Sequence, residues 1–141
     1  MGSVTLDQAE TIVDGALAHA KTAGARPITV VVLDAGGHLV ALKRQDDSGI
    51  LRPEIATGKA YGALGLGLGS RALSGKNPTF LAAVSAASGG LMVPVPGGVL
   101  IRSSGAVIGA VGISGDTSGV DEAAAIAGIE VAGLTADPGE E

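Results

Sequence analysis

The sequence predicts an α+β fold in one domain, with a central, mostly antiparallel sheet flanked by helices. Three observations carry this. Two pairs of β-patterned segments are each joined by a glycine-containing turn, segments of helical periodicity stand before, between and after those pairs, and the regular strand and crossover-helix alternation of a parallel sheet is missing. Hairpins pair strands antiparallel, and amphipathic helices need an apolar face to cover.

From Thr5 the apolar residues Leu6, Ala9, Ile12, Val13, Ala16, Leu17 and Ala20 recur at helical spacing, and Thr5 with Gln8 fits a capping box; a first helix ends before Gly24. Ile28 to Leu33 is β-branched and continuously apolar, which at this length predicts a buried strand. Asp34-Ala35-Gly36-Gly37 supplies a turn, and His38 to Lys43 returns as the second strand. Pro53 suits the first turn of a second helix running through Lys59, Tyr61 and Leu64. Its glycines, among them Gly58 and Gly62, each cost about 1 kcal/mol relative to Ala unless another backbone packs closely against them. A short helix follows Asn77-Pro78 and breaks at Gly89-Gly90. Strands fit Gly98 to Arg102 and Ala106 to Ser114, turning at Ser103-Ser104-Gly105. A last helix fits Gly119 to Leu134, with Ser118 as cap and Asp121 and Glu122 in its first turn. The domain is expected to span residues 1–134, and residues 135–141 to form an acidic, frayed tail.

With 141 residues, one domain is the expected organisation. Hydrophobic residues make up 46% of the chain but aromatics only 1%, so the core must be assembled from Ala, Val, Leu and Ile. A net charge of −5 without a basic stripe argues against nucleic acid as partner. The absence of cysteine removes disulfides, thiolate nucleophiles and Cys-ligated metal sites. No apolar run approaches a membrane span, and Met1-Gly2-Ser3 enters a helix pattern without a basic, apolar leader, so no membrane role and a cytoplasmic location are expected.

The run Gly65-Leu66-Gly67-Leu68-Gly69 follows a helical pattern instead of a strand, and Gly75-Lys76 is followed by Asn77, so neither a dinucleotide fingerprint nor a Walker loop is completed. Imidazole chemistry rests on His19 and His38. His19 lies roughly 90° from the centre of its helix's apolar stripe, at the boundary of the buried face, and His38 opens a strand beside a Gly-Gly turn. Solvated polar roles are the bland reading of both. Hydrolase chemistry lacks a Gly-x-Ser-x-Gly elbow. Lys59 sits among Ile55, Ala56, Ala60 and Leu64, and Arg102 ends an apolar strand; a Lys and an Arg converging on an aliphatic pocket would suit an organic acid or a haem propionate.

Asp34-Ala35-Gly36-Gly37-His38-Leu39-Val40, then Arg44 and Asp46, Lys59-Ala60, Ser88-Gly89-Gly90, Pro96 to Ile101, and Gly105 to Gly115 with Asp121-Glu122 resemble the GlcG/HbpS-like family over nearly the whole chain. The resemblance implies a profilin-like α/β fold, assembly into homo-oligomers from dimer to octamer, and haem as a ligand, since several relatives bind it. Lys59, Arg102 and the strand end Gly112 to Ser114 match family positions, whereas His19 would be a ligand particular to this branch.

Two functions follow as expectations. The first is a cytoplasmic protein binding haem or a related cofactor, with His19 or His38 as axial ligand, His19 being the candidate for the iron itself, and Lys59 or Arg102 near a propionate. The second is an enzyme, or an accessory protein of a catabolic pathway, acting on a small organic acid or carbonyl compound; His38, Asp116 or Glu122 would be the base, and Arg102 or Lys59 would hold the carboxylate.

Overall fold

The computed structural model describes residues 2–140; Met1 and Glu141, the ends of the predicted leader-free start and of the predicted tail, lie outside the described residues. The elements in order are α1 (Leu6–Thr22), β1 (Thr29–Asp34), β2 (Leu39–Arg44), α2 (Arg52–Leu66), α3 (Ser70–Ser74), α4 (Pro78–Ala87), β3 (Gly98–Ser103), β4 (Ala106–Ser114), α5 (Ser118–Val131) and β5 (Thr135–Asp137). One five-stranded sheet has the order β2-β1-β4-β3-β5, with every pairing antiparallel.

The α+β class follows from how these strands are covered. Val30 and Val32 of β1 point with Val99, Ile101, Val111 and Ile113 toward α1 and α5, while Val31 and Leu33 point with Leu100 and Ala110 toward α2. Period-two alternation thus serves two apolar layers, and this is why β1 reads as an unbroken apolar run. The capping box forms as the sequence predicts: Thr5 N–H donates to Gln8 Oε1 at 2.9 Å and Gln8 N–H to Thr5 Oγ1 at 3.1 Å.

With almost no aromatic side chains available, backbones are brought close instead. The sheet needs glycine where α2 packs on it: a Cβ on Gly112 would collide with the Ala56 carbonyl, and one on Gly98 with the Lys59 carbonyl. On the other face α1 and α5 cross where a Cβ on Gly128 would strike the Ile12 carbonyl.

Several boundaries differ from expectation for local reasons. Residues 135–137 are not frayed: they pair with β3, from Leu100↔Asp137 to Arg102↔Thr135, and Arg102 Nε donates to Asp137 Oδ2 at 2.8 Å. Acidic composition suggested a solvated tail, whereas one arginine gives the last strand its ion-pair partner. Thr117, not Ser118, caps α5, accepting from Val120 N–H. A further short helix, α3, follows the glycine run, docked where a Cβ on Gly69 would meet Pro138.

Gly112→Ala places a methyl group against the Ala56 carbonyl, which can retreat only if α2 moves off the sheet. The substitution is expected to destabilise the fold by about 1–3 kcal/mol in urea denaturation, through overpacking; unchanged stability would show that the close approach is dispensable.

Candidate functional site

Two buried charges meet where α2, β4 and α5 converge. The side chain of Lys59 is 3% exposed and that of Asp121 1%. Lys59 Nζ donates to Asp121 Oδ2 at 3.3 Å and to the Ile113 carbonyl at 2.8 Å, and Asp121 Oδ1 accepts the Asp116 N–H at 3.0 Å. Burial pulls the Lys59 pKa below its ordinary value, and the Asp121 carboxylate opposes that pull. Beside this pair Arg52 Nη1 donates to Ser114 Oγ at 3.0 Å, and Arg71 Nε contacts both oxygens of Glu122 at 3.0 and 2.9 Å.

The remaining predicted site residues are distributed around the molecule. Arg102 lies at the opposite end of β3 from the Lys59 cluster, bonded to Asp137 and to the Gly105 carbonyl, so Lys59 and Arg102 do not converge on one pocket. Asp116 accepts the Arg26 and Thr117 N–H groups, each at 2.7 Å, and these bonds, the Arg26 one foremost, hold its carboxyl below the usual range. Glu122 is engaged by Arg71.

His19 and His38 lie at opposite ends of the α1–hairpin layer. The start of α1 abuts the hairpin turn, where Ser3 Oγ accepts the Ala35 N–H at 3.2 Å, whereas its last turn borders Arg44 and Gln45 across a recess of about 570 Å³. His19 is exposed on that last turn. His38 is exposed too, but its ring is held: Nδ1 lies 3.1 Å from Asp34 Oδ1, and a Cβ on Gly36 would sit 2.8 Å from Cε1, so the imidazole lies over the turn glycine. Asp34 Oδ1 also accepts the His38 and Gly36 N–H groups at 2.9 and 3.0 Å, and these bonds, led by that from His38, keep its carboxyl ionised below the ordinary range. An ionised carboxylate on Nδ1 favours the tautomer with the proton there, which leaves the Nε2 lone pair directed outward. This is the second-shell arrangement of metal-binding imidazoles.

Next to that imidazole the outer side of α2 is lined by small residues. A recess of about 170 Å³ is bounded by Ala35, Gly36, Gly37, Tyr61, Leu64 and Gly65, and Tyr61 and Gly65 are shared with an almost wholly apolar recess of about 80 Å³ reaching Val84 and Met92. One turn toward the start of α2, Pro53, Glu54, Thr57 and Gly58 face Gly90 and Leu91 across about 310 Å³. Glycine and tyrosine thus make a ledge along the helix, with His38 near one end and Glu54 near the other. Among the described residues no group of three or more His, Asp or Glu side chains comes together to hold a metal ion.

Residues 4–130 match the family model described as haem degrading protein HbpS-like. The chain belongs to the HbpS-like family. Among solved structures similar to it are a PduOC–haem complex (TM-score 0.86, 23% identity, 94% of this chain and 96% of that one covered) and the ORFY protein of Klebsiella pneumoniae (TM-score 0.84, 23% identity, 94% and 92% covered). A double mutant of HbpS from Streptomyces reticuli is similar as well (TM-score 0.79, 26% identity, 93% and 88% covered). No curated protein matches the chain. The family resemblance read from the residues, and the α+β fold, are therefore shown.

Sequence reasoning singled out neither Tyr61, Arg52 nor the Asp34–His38 bond. The last was within reach, because an Asp two residues before Gly36 and four before His38 is the spacing of an Asx-type turn that also catches the histidine ring. Tyr61 and Arg52 carried no such local signal.

Removing one partner of the buried pair strands the other. Lys59→Met is expected to cost about 3–5 kcal/mol by leaving Asp121 buried without its cation. The pH dependence has a definite sign: the unfolded lysine keeps its proton to near its ordinary value of 10.5 and the folded one releases it earlier, so wild-type stability rises with pH in the window below 10.5. Thermal denaturation of both proteins from neutral to alkaline pH should show the variant's deficit widening; a constant gap would contradict a depressed Lys59 pKa.

Proposed function

We propose that this chain binds haem or a related tetrapyrrole across the ledge of α2, with His38 Nε2 as the axial ligand. The observation that carries the reading is the imidazole held at Nδ1 by Asp34, 3.1 Å away, directly beside the glycine-lined recess. His38 is favoured over His19 because, among the described residues, no carboxylate fixes the tautomer of His19 in the same way. When bound, haem would supply iron chemistry. The protein's own part is to orient the imidazole through Asp34 and to offer Tyr61, Leu64 and the glycines as a flat contact surface. Lys59 and Arg102, the propionate partners considered from sequence, are turned to Asp121 and Asp137.

The recess beside His38, at about 170 Å³, falls well below the roughly 300–1,000 Å³ of pockets that enclose a ligand of drug size. A tetrapyrrole would therefore lie on the open ledge, and a second subunit would cover its other face. A homo-oligomer is supported independently by α4, an apolar helix with no buried residue on which Phe80 is 47% exposed, and by Leu91, 48% exposed at the edge of the ledge. Among the described residues no helix is long and apolar enough to cross a membrane.

Haem titration followed by absorbance tests the ligand. A saturable Soret shift is expected for the wild type and for His19→Ala, its loss in His38→Ala, and binding weakened about ten- to a hundredfold in Asp34→Asn, which keeps the turn but not the charge. A flat, nonspecific response in the wild type, or binding indifferent to His38, would overturn the reading.

Light scattering tests the assembly. The chain should elute as a multiple of its 13.6 kDa mass, and Phe80→Asp with Leu91→Asp should shift it toward the monomer. A monomeric wild type would remove the proposed cover.

A further inference from the structure

We infer that the corner where α2 begins, at the far end of that helix from His38, is a binding site for a small aliphatic carboxylate, held by Arg52 and Ser114 with Lys59 behind them. The inference does not rest on haem binding. It rests on an excess of hydrogen-bond donors over acceptors at one buried place.

Arg52 is half-buried and carries five N–H donors, of which one is used among the described residues, from Nη1 to Ser114 Oγ at 3.0 Å. Among the described residues no carboxylate lies within 4.0 Å of its guanidinium. Ser114 is fully buried, and its hydroxyl accepts from Arg52 while its own proton has no acceptor among the described residues. The β1–β4 register sets Thr29 opposite Ser114, and Thr29 Oγ1 lies 2.9 Å from Ser48 Oγ, a buried pair in which one hydroxyl donates and the other keeps an unused proton. Lys59 has three ammonium protons and two acceptors.

The same spot gathers positive charge in a chain of net charge −5: among the described residues Lys59 has Asp121 as its ion-pair partner and Arg52 has none, and the Asp121 carboxylate already takes the Lys59 and Asp116 donors. A group rich in donors and short of acceptors, centred on a guanidinium, selects an acceptor-only ligand that can take two parallel N–H bonds, which is a carboxylate. Apolar neighbours set the rest of the ligand. Ile50 and Leu51 in the loop before α2 are 92% and 65% exposed, and would lie against a short alkyl tail.

The test is a titration of the full chain with sodium propionate, followed by ¹H–¹⁵N NMR at the Arg52 Nε–H and the Ser114 amide, with sodium phosphate and sodium chloride as parallel arms. Saturable shifts at both groups are expected with propionate alone. Arg52→Gln should weaken binding about tenfold or more, the size of a lost charge-assisted bond, and Arg52→Lys, which keeps charge but not the fork, should recover only part of it. Lys43→Gln, at an exposed ion pair with Asp14, serves as the control and should bind as wild type. Non-saturating shifts, equal responses to all three salts, or propionate binding unchanged in Arg52→Gln would each overturn the proposal. None of these outcomes bears on the Soret titration, so the two readings fail separately.

Discussion

The ammonium of Lys59 joins all three layers of the molecule. It starts on α2, bonds the carbonyl of Ile113 at the end of β4, and reaches past the sheet to the carboxylate of Asp121 on α5. That span is possible only because α2 rides directly on the backbone of β3 and β4, where Gly98 and Gly112 leave no side chain in the way. The glycines and the ion pair are therefore one device: close approach shortens the distance, burial strengthens the attraction, and the pair fixes how far α5 stands from α2. A core assembled from small aliphatic residues gains less from each side chain than one with aromatics, so positional precision comes from backbone contact and from this charge pair.

Much of this architecture was legible in the chain. The capping box at Thr5 and Gln8, the hairpin at Asp34 to Gly37 and the strand from Ala106 to Ser114 are written in local chemistry, and local chemistry survives folding. Features that depend on distant partners were not. Residues 135–137 look like a solvated acidic end until Arg102 of β3 is placed beside Asp137, and α3, a single short turn after a glycine run, is invisible until Pro138 is found packed on Gly69. The prediction of caps erred by one residue at Thr117 because two adjacent hydroxyl residues offer the same side-chain oxygen.

The candidate site follows the same division. His38 was legible as a turn histidine, and Asp34 stood four residues before it, yet the value of the pair lies in the ring lying over Gly36 beside the α2 ledge. Lys59 and Arg102 were chosen as cations on apolar elements, a correct description of each; what the sequence lacks is that Lys59 of α2 packs at the Gly98 end of β3 while Arg102 lies at the other end, each facing its own aspartate. Arg52 passed unnoticed because an arginine before Pro53 is ordinary in sequence, and only the fully buried hydroxyl of Ser114 beneath it makes the position unusual.

The strand order β2-β1-β4-β3-β5 also dictates the order in which the molecule can be assembled. The hairpin of β1 and β2 is complete early in the chain, but β1 gains its second neighbour only when β4 arrives, and β3 is closed by the last strand of all. During synthesis, the most apolar strand thus waits half-covered while α2, α3 and α4 are made. An N-terminal fragment ending before β4 would hold the hairpin, the ledge and His38, yet it would lack the strand that joins β1 to β3. Only the pairing of β5 with β3 completes the sheet.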